Sequence, residues 1–151
     1  MAFAYKQVSA SDLPVLKQLL AVFGEAFAEP ATYQGAVPND AYLTALLGKS
    51  HFIALAALNG HDVVGGLVAY ELEKFEQARS EIYIYDLAVR EGHRRKGVAT
   101  GLISELGRIA KERGAYVIFV QADVGDGPAI RLYESLGTRE DVFHFDIPIG
   151  K

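Results

Sequence analysis

Two kinds of connection in one chain fix the sheet it can build. His51-Phe-Ile-Ala-Leu-Ala-Ala-Leu58 runs into Asn59-Gly60 and returns as Val63-Val-Gly-Gly-Leu-Val-Ala-Tyr-Glu-Leu72. Asn-Gly between two apolar runs is a hairpin signal, because both residues tolerate the positive φ of a tight two-residue turn, so these strands are expected to pair antiparallel. Further on, Glu81-Ile-Tyr-Ile-Tyr-Asp-Leu-Ala-Val89 and Ala115-Tyr-Val-Ile-Phe-Val-Gln121 are rich in β-branched and aromatic residues. Between them Val98, Leu102, Leu106, Ile109 and Arg113 make one helical stripe over Gly97 to Arg113, stopped by Gly114. A strand–helix–strand crossover returns the chain parallel. Hairpins first and βαβ units later imply an α/β fold with a mixed sheet and helices on both faces.

The remaining segments fit that frame. A short strand is predicted around Phe3 to Gln7, then a helix with Ser11 as N-cap and Pro14 in its first turn. Leu13, Leu16, Leu20, Phe23 and Phe27 recur at spacings of three and four and form its apolar face. Glu29 to Asp40 carries Pro30, Gly35 and Pro38 and is expected to be irregular, with a short helix over Asp40 to Leu47. Glu73 to Ser80 is a charged connection; Asp126-Gly-Pro128 starts a last helix that Gly137 ends, and a final strand is predicted over Val142 to Ile147.

With 151 residues and no linker or repeat, one domain over residues 1–151 is expected. The chain contains no cysteine, which removes disulfides, thiolate metal sites and any acyl-cysteine intermediate. Its four histidines, His51, His61, His93 and His144, lie far apart, and no acidic pair has metal-ligand spacing, so no metal is expected. The net charge of −4 argues against a nucleic-acid partner and leaves room for a cationic substrate. No targeting signal and no apolar run long enough for a bilayer is visible, so no membrane association and a cytoplasmic location are expected.

The strongest chemical signal is Arg94-Arg-Lys-Gly97-Val-Ala99, which follows one predicted strand and opens the next helix. A helix N-terminus offers unpaired N–H groups and the positive end of the dipole. Gly97 permits close approach of a ligand to the backbone, and Arg94, Arg95 and Lys96 add cationic donors. These are the ingredients of a pyrophosphate site, although a solvated basic turn has the same composition. A P-loop is excluded because Gly97 is followed by Val98, and no G-x-G-x-x-G stands between strand and helix.

On these residues the chain resembles a family. Arg94-x-x-Gly97-x-Ala99 is similar to the acyl-CoA motif R/Q-x-x-G-x-G/A of the GCN5-related N-acetyltransferases (GNAT). Ala129-Ile-Arg-Leu-Tyr133-Glu-Ser-Leu-Gly137 resembles their second motif, which supplies a tyrosine near the CoA sulfur. The element order matches as well. A narrower resemblance, to the aminoglycoside 3-N-acetyltransferases of the gentamicin-resistance type, rests on Phe75-Glu-Gln77, Glu81–Val89, Val120-Gln-Ala-Asp-Val-Gly-Asp-Gly-Pro-Ala129 and His144-Phe-Asp-Ile147. The resemblance implies a GNAT fold, a mixed and mostly antiparallel sheet with a splayed central pair of strands. It implies acetyl-CoA as co-substrate, a polycationic small-molecule amine as acceptor, and antibiotic resistance through acetylation of the 3-amino group of 2-deoxystreptamine. Coenzyme contacts are implied at Leu87, Ala88, Val89, Arg94, Arg95, Lys96, Gly97, Val98, Ala99, Thr100, Ala129 and Tyr133. Many members carry Asn before the Ala-x-x-Leu-Tyr stretch, where this chain has Asp126, and an acidic group there can serve the acceptor instead.

Individual residues then take roles. Tyr133 is implied as the acid that protonates the departing thiolate; otherwise it is a tyrosine packed on the sheet. Asp86 interrupts an apolar strand and, under strict alternation, shares a face with Ile82 and Ile84. A bulge there resolves the conflict and splays the strand. In the family that the chain resembles, a strand splayed here lets the acetyl-CoA arm lie beside the backbone. The resemblance implies Leu87, Ala88 and Val89 for the arm, a main-chain N–H of that stretch for the oxyanion, and Asp86 to bind the ammonium or take its proton. The alternative is an Asp that caps a turn or pairs with an arginine. Asp123 and Asp126 follow a strand end, where ligands of α/β sheets collect, and Asp126 is also a good N-cap. Asp146 either joins an acidic cleft or sits on an edge strand, while His93 and His144 read as loop and strand residues.

The combined reading is direct acyl transfer in a ternary complex with Tyr133 and Asp86 as catalytic groups and Asp86, Asp123 and Asp126 at the acceptor. The rival readings are a GNAT enzyme for another amine, such as a polyamine or a protein N-terminus, and a silent CoA-binding module. The apolar late strands with Phe143 and Phe145 either make a homodimer or fill the core.

Overall fold

The computed structural model describes residues 2–150. The chain divides between Gln121 and Ala122 into two compact units. The first holds a five-stranded sheet in the order β1 (Ala4–Gln7), β2 (Phe52–Asn59), β3 (Asp62–Glu73), β4 (Ser80–Val89), β5 (Ala115–Val120). The first three pairings are antiparallel and β4–β5 is parallel. This is the mixed sheet that the Asn59-Gly60 turn and the crossover demand. Gly60 takes the left-handed conformation, with φ of 65°.

Helices cover both faces. On one, α1 (Leu13–Ala26) and α3 (Asp40–Leu47) pack Leu16, Leu19, Val22, Phe23, Leu43 and Leu47 over Phe52, Ala54, Ala56, Val68 and Ala88. On the other, α4 (Val98–Arg113) packs Val98, Leu102, Leu106 and Ile109 over Ile53, Leu55, Leu67, Ile82 and Ile84. Strand β2 is buried on both sides, which is why it reads as a continuous apolar run and not as an alternation. Fully burying a side chain such as Leu19 or Leu102 contributes about 1.5–3 kcal/mol. Arg113, at the end of the α4 stripe, pairs with Glu71 at 2.7 Å, and the Ser80 hydroxyl donates to the same carboxylate at 2.6 Å. The helix end is thereby tied to β3 and β4. No helix among the described residues is long and apolar enough to cross a membrane.

Three local expectations are corrected. The chain enters α1 through a 3-10 turn in which the Ser9 N–H and hydroxyl both donate to Asp12 at 3.0 Å, so the cap is built from Ser9 and Asp12 and not from Ser11. The buried face of α1 includes Leu19 and Val22 in place of Leu20, because the Leu19 methyls sit against Gly66, where the sheet presents no side chain. Within Glu29–Asp40, α2 (Pro30–Gln34) forms a short helix, with Pro30 at a first-turn position that needs no N–H.

The second unit holds α5 (Gly127–Leu136). Residues 138–148 form neither helix nor strand, so the strand predicted over Val142–Ile147 is absent. Alternation supplies a face, but a strand also needs a neighbour for its backbone hydrogen bonds, and among the described residues of the second unit no strand pairs with this stretch.

Candidate active site

The sheet is interrupted where the chemistry was expected. Val68 faces Asp86 across the β3–β4 ladder and Ala69 faces Ile84, so Tyr85 is an extra residue without a partner, a β-bulge. Its consequence is a change of face. Before the bulge Ile82 and Ile84 point into the α4 layer; after it Leu87 and Val89 do so, and Ala88 joins the α1 layer. Asp86 is thereby removed from the core face that alternation would have given it. It lies half-buried on the side of α1 and α2, where the Tyr33 phenol donates to its two carboxylate oxygens at 3.3 and 3.2 Å.

Burial pushes the Asp86 carboxyl up to about 6; the hydrogen bond from Tyr33 pulls it down and the Glu29 charge adds to the rise. Tyr33 is held far above the ordinary phenol range by burial and by the neighbouring Asp86 charge. Tyr70 and Tyr83 are pushed up as well, chiefly by burial. Rings line the approach: Tyr85 meets both Tyr70 and Tyr83 edge-on at 6.0 Å, and Tyr83 stacks on Phe119 at 4.7 Å. Tyr85 is 61 % exposed, so this aromatic wall faces solvent.

The bulge also opens an edge. Pairing of β4 with β5 runs from Ser80 to Ile84 and stops, while β4 continues to Val89 with β3 as its strand partner. Among the described residues Leu87, Ala88 and Val89 thus pair with no strand on the β5 side. Arg94 Nε donates to the Val89 carbonyl at 3.0 Å and anchors the following loop. In that loop Arg95 has φ of 63° and Gly97 has φ of 81°. A left-handed arginine costs about 1–2 kcal/mol, a strain of the kind found where a backbone must present its N–H groups in a set direction. The first α4 ladder bond runs from Gly101 N–H to Gly97 carbonyl, which leaves the N–H groups of Val98, Ala99 and Thr100 outside it. Nothing stands within 4 Å of where a Gly97 Cβ would project. The Val98 side chain is only 2 % exposed and acts as the helix's anchor in the core, so its main chain alone faces a ligand. Arg94, Arg95 and Lys96 are exposed and form no ion pair among the described residues. The donors and the open space fit a diphosphate.

In the second unit the Asp126 carboxylate accepts from Ala129 N–H at 3.2 Å and caps α5, so its capping role is real. Asp123 is exposed, and its carbonyl accepts from Asp126 N–H. Tyr133 is half-buried and its phenol is pushed up to about 12, first by burial and then by the Asp126 charge. Asp146 is exposed and bonds His144 Nε2 at 2.9 Å. Among the described residues no group of three His, Cys, Asp or Glu side chains is placed to hold a metal ion.

The model of the acetyltransferase (GNAT) family matches residues 17–138. The chain belongs to the GNAT acetyltransferase family. An aminoglycoside acetyltransferase, HMB0005, from an uncultured soil metagenomic sample is 55% identical, with 99% of this chain and 100% of that one covered and a TM-score of 0.98. A second, meta-AAC0020, also from an uncultured soil metagenomic sample and solved in complex with sisomicin, is 31% identical, with 98% and 97% covered and a TM-score of 0.92. A ribosomal-protein-alanine N-acetyltransferase from Brucella melitensis biovar Abortus 2308 is 25% identical, with 99% and 100% covered and a TM-score of 0.76. A search of curated protein sequences finds no significant match. The family's co-substrate is acetyl-CoA, and this chain is a GNAT-type acetyltransferase.

Sequence reasoning did not find Tyr33, Glu29, Tyr70 or Tyr85 as neighbours of Asp86. The first two lie in the Pro- and Gly-rich stretch expected to be irregular, and the others read as ordinary strand aromatics. The surplus of tyrosine in and beside β3 and β4 was the available signal.

In the unfolded chain Asp86 titrates near 3.8 and in this GNAT fold near 6. The folded state holds the proton more tightly, so this group's contribution to stability is present below about pH 3.8 and is lost as pH rises through about 6. Asp86→Asn removes the buried charge. It is predicted to raise Tm near pH 8 by a few degrees, with each 1 kcal/mol worth about 2–4 °C in a chain of this size, and to change Tm little near pH 4. Thermal denaturation at the two pH values checks this; a lowered Tm near pH 8 contradicts it.

Proposed function

We propose that this enzyme transfers the acetyl group of acetyl-CoA to the 3-amino group of a 2-deoxystreptamine aminoglycoside such as gentamicin, in a ternary complex, as one cytoplasmic domain over residues 1–151 that confers resistance. The observation that carries the acceptor class is the 55% identity to an aminoglycoside acetyltransferase across 99% of the chain. The relative solved with sisomicin supports the same class.

Acetyl-CoA supplies the activated acetyl thioester. Arg94, Arg95, Lys96 and the main chain of Gly97, Val98, Ala99 and Thr100 hold its diphosphate, and the open backbone of Leu87, Ala88 and Val89 aligns its arm. The acceptor arrives as an ammonium and must lose a proton to become a nucleophile. Asp86, with its carboxyl at about 6, is ionised near neutral pH and still basic enough to take that proton. Asp123 and Asp126 add negative charge for a polycation. Tyr133, in the position of the family's motif tyrosine and with its phenol at about 12, stays protonated near neutral pH and gives its proton to the thiolate. Ala129 N–H contributes to the coenzyme site in the same motif. No cysteine exists to carry an acyl intermediate, and in this reading the amine attacks the thioester directly. Positioning of two reactants supplies much of the acceleration, and each proton-transfer group about 10²–10⁴-fold.

A homodimer completes this reading. Phe143, Phe145, Ile147 and Ile149 alternate with His144, Asp146 and Pro148, and with Val142 they are 71–96 % exposed. They show a strand's pattern without a sheet partner, while β5 is an edge strand whose Tyr116 and Val117 are exposed. A second copy supplies what each lacks. Two such stretches, exchanged, bury on the order of 1,000 Å² or more, the scale of a specific interface.

Incubation with gentamicin and acetyl-CoA, with NMR of the product, is predicted to show acetylation at the 3-amino group with one CoA released per product. Acetylation elsewhere rejects the position, and release only with a polyamine or a peptide N-terminus moves the acceptor class. Binding of acetyl-CoA without release in any acceptor panel rejects catalysis. Tyr133→Phe should lower kcat by roughly 10²-fold with an unchanged acetyl-CoA Kd; full turnover removes Tyr133 from the mechanism. Light scattering is predicted to give about twice the 16.4 kDa chain mass, and Phe143→Ser with Phe145→Ser to halve it. A monomeric parent protein rejects the dimer.

A further inference from the structure

We propose that Tyr33 is a positioning residue for the acetyl transfer: its phenolic O–H, placed against both oxygens of Asp86, keeps that carboxylate ionised and aims its free lone pairs at the acceptor amine. The proposal rests on the reading of Asp86 as the base and adds a residue outside Arg94–Ala99 and Ala129–Gly137, the two motifs that carry the family resemblance.

The geometry that holds Tyr33 is specific. It sits on α2, and its ring rests against Phe23 at 6.0 Å and Phe27 at 5.8 Å between centroids. Gly24 brings α1 so near that an added Cβ would stand 3.3 Å from the Tyr33 Cβ and 3.4 Å from the Pro30 Cα. The ring is thus fixed between two helices, and its hydroxyl projects to Asp86 in β4, fifty-three residues away in sequence. Among the described residues it is the one side chain that hydrogen-bonds Asp86.

The groups facing Asp86 make this bond decisive. Glu29 approaches from the lead-in to α2, Tyr70 from β3, Tyr83 and the adjoining Tyr85 from β4, and Tyr33 from α2 itself. None is a cation. Burial and the Glu29 charge both favour the protonated acid, and the Tyr33 hydrogen bond is the influence that opposes them. Tyr33 serves as a fixed donor, because its own phenol is held protonated by burial and by Asp86. A donor of this kind stabilises the carboxylate by an amount that corresponds to about one pH unit.

The test is Tyr33→Phe, which keeps the ring on Phe23 and Phe27 and deletes the donor. The acid limb of kcat/KM against pH, with acetyl-CoA and gentamicin, is expected to move up by about one unit. Activity near pH 6 then falls several-fold and the loss vanishes above about pH 8. Carbon NMR of the Asp86 carboxyl should report the same upward shift without reference to turnover. An unmoved carboxyl with an unmoved acid limb overturns the proposal while leaving Asp86 as base, provided Asp86→Asn abolishes turnover. An equal loss at every pH also overturns it, since that is the mark of a packing role. A carboxyl that shifts while the acid limb stays overturns Asp86 as base, and the role of Tyr33 in the reaction falls with it.

Discussion

One extra residue in one strand organises the molecule's chemistry. Tyr85 has no partner on β3, and the ladder resumes with Val68 opposite Asp86. Without that insertion Asp86 would enter the layer that Ile82 and Ile84 share with Leu102 and Leu106, where an unpaired carboxylate costs several kcal/mol, of the order of a buried charge. With it, the carboxylate turns to the opposite side, and the β4 backbone beyond Ile84 loses its parallel neighbour. The same distortion thus leaves a half-buried carboxylate and an open main-chain edge.

Charge is partitioned around this distortion. The chain as a whole is acidic, at −4, yet Arg94, Arg95 and Lys96 stand together after β4 without ion-pair partners among the described residues. The cationic side chains are therefore gathered locally, beside left-handed backbone at Arg95 and Gly97 and the start of α4. On the other side Asp86, Glu29 and the tyrosine wall offer negative charge and π faces, which suit an ammonium. The structural price appears at Asp86, whose carboxyl is pushed up to about 6 because the fold half-buries it. With Asp86 as the proposed base, function and stability pull against each other at that residue.

Much of this was legible in the sequence. The alternation Ile82–Ile84–Asp86 already contained the conflict that a bulge resolves, and Asn59-Gly60 with the Gly97–Arg113 crossover fixed the pairing senses. The basic loop was visible because its residues are contiguous. Tyr33 was not, since its role depends on a helix over Pro30–Gln34 that propensity does not announce and on a partner in a distant strand. The shift of α1 from Leu20 to Leu19 was hidden too, because it follows from bare backbone at Gly66 on another element. Val142–Ile147 failed for a complementary reason: its pattern is that of a strand, but pairing is a property of two segments.

The proposed coenzyme site requires that the bulge leave main chain free to hold a ligand. Amide hydrogen exchange of the intact protein, with and without acetyl-CoA, tests it most directly. The coenzyme is predicted to protect amides within Leu87–Val89 and at Val98, Ala99 and Thr100, while β1 and β2 remain as they were. Saturating acetyl-CoA with no added protection at either stretch would contradict it.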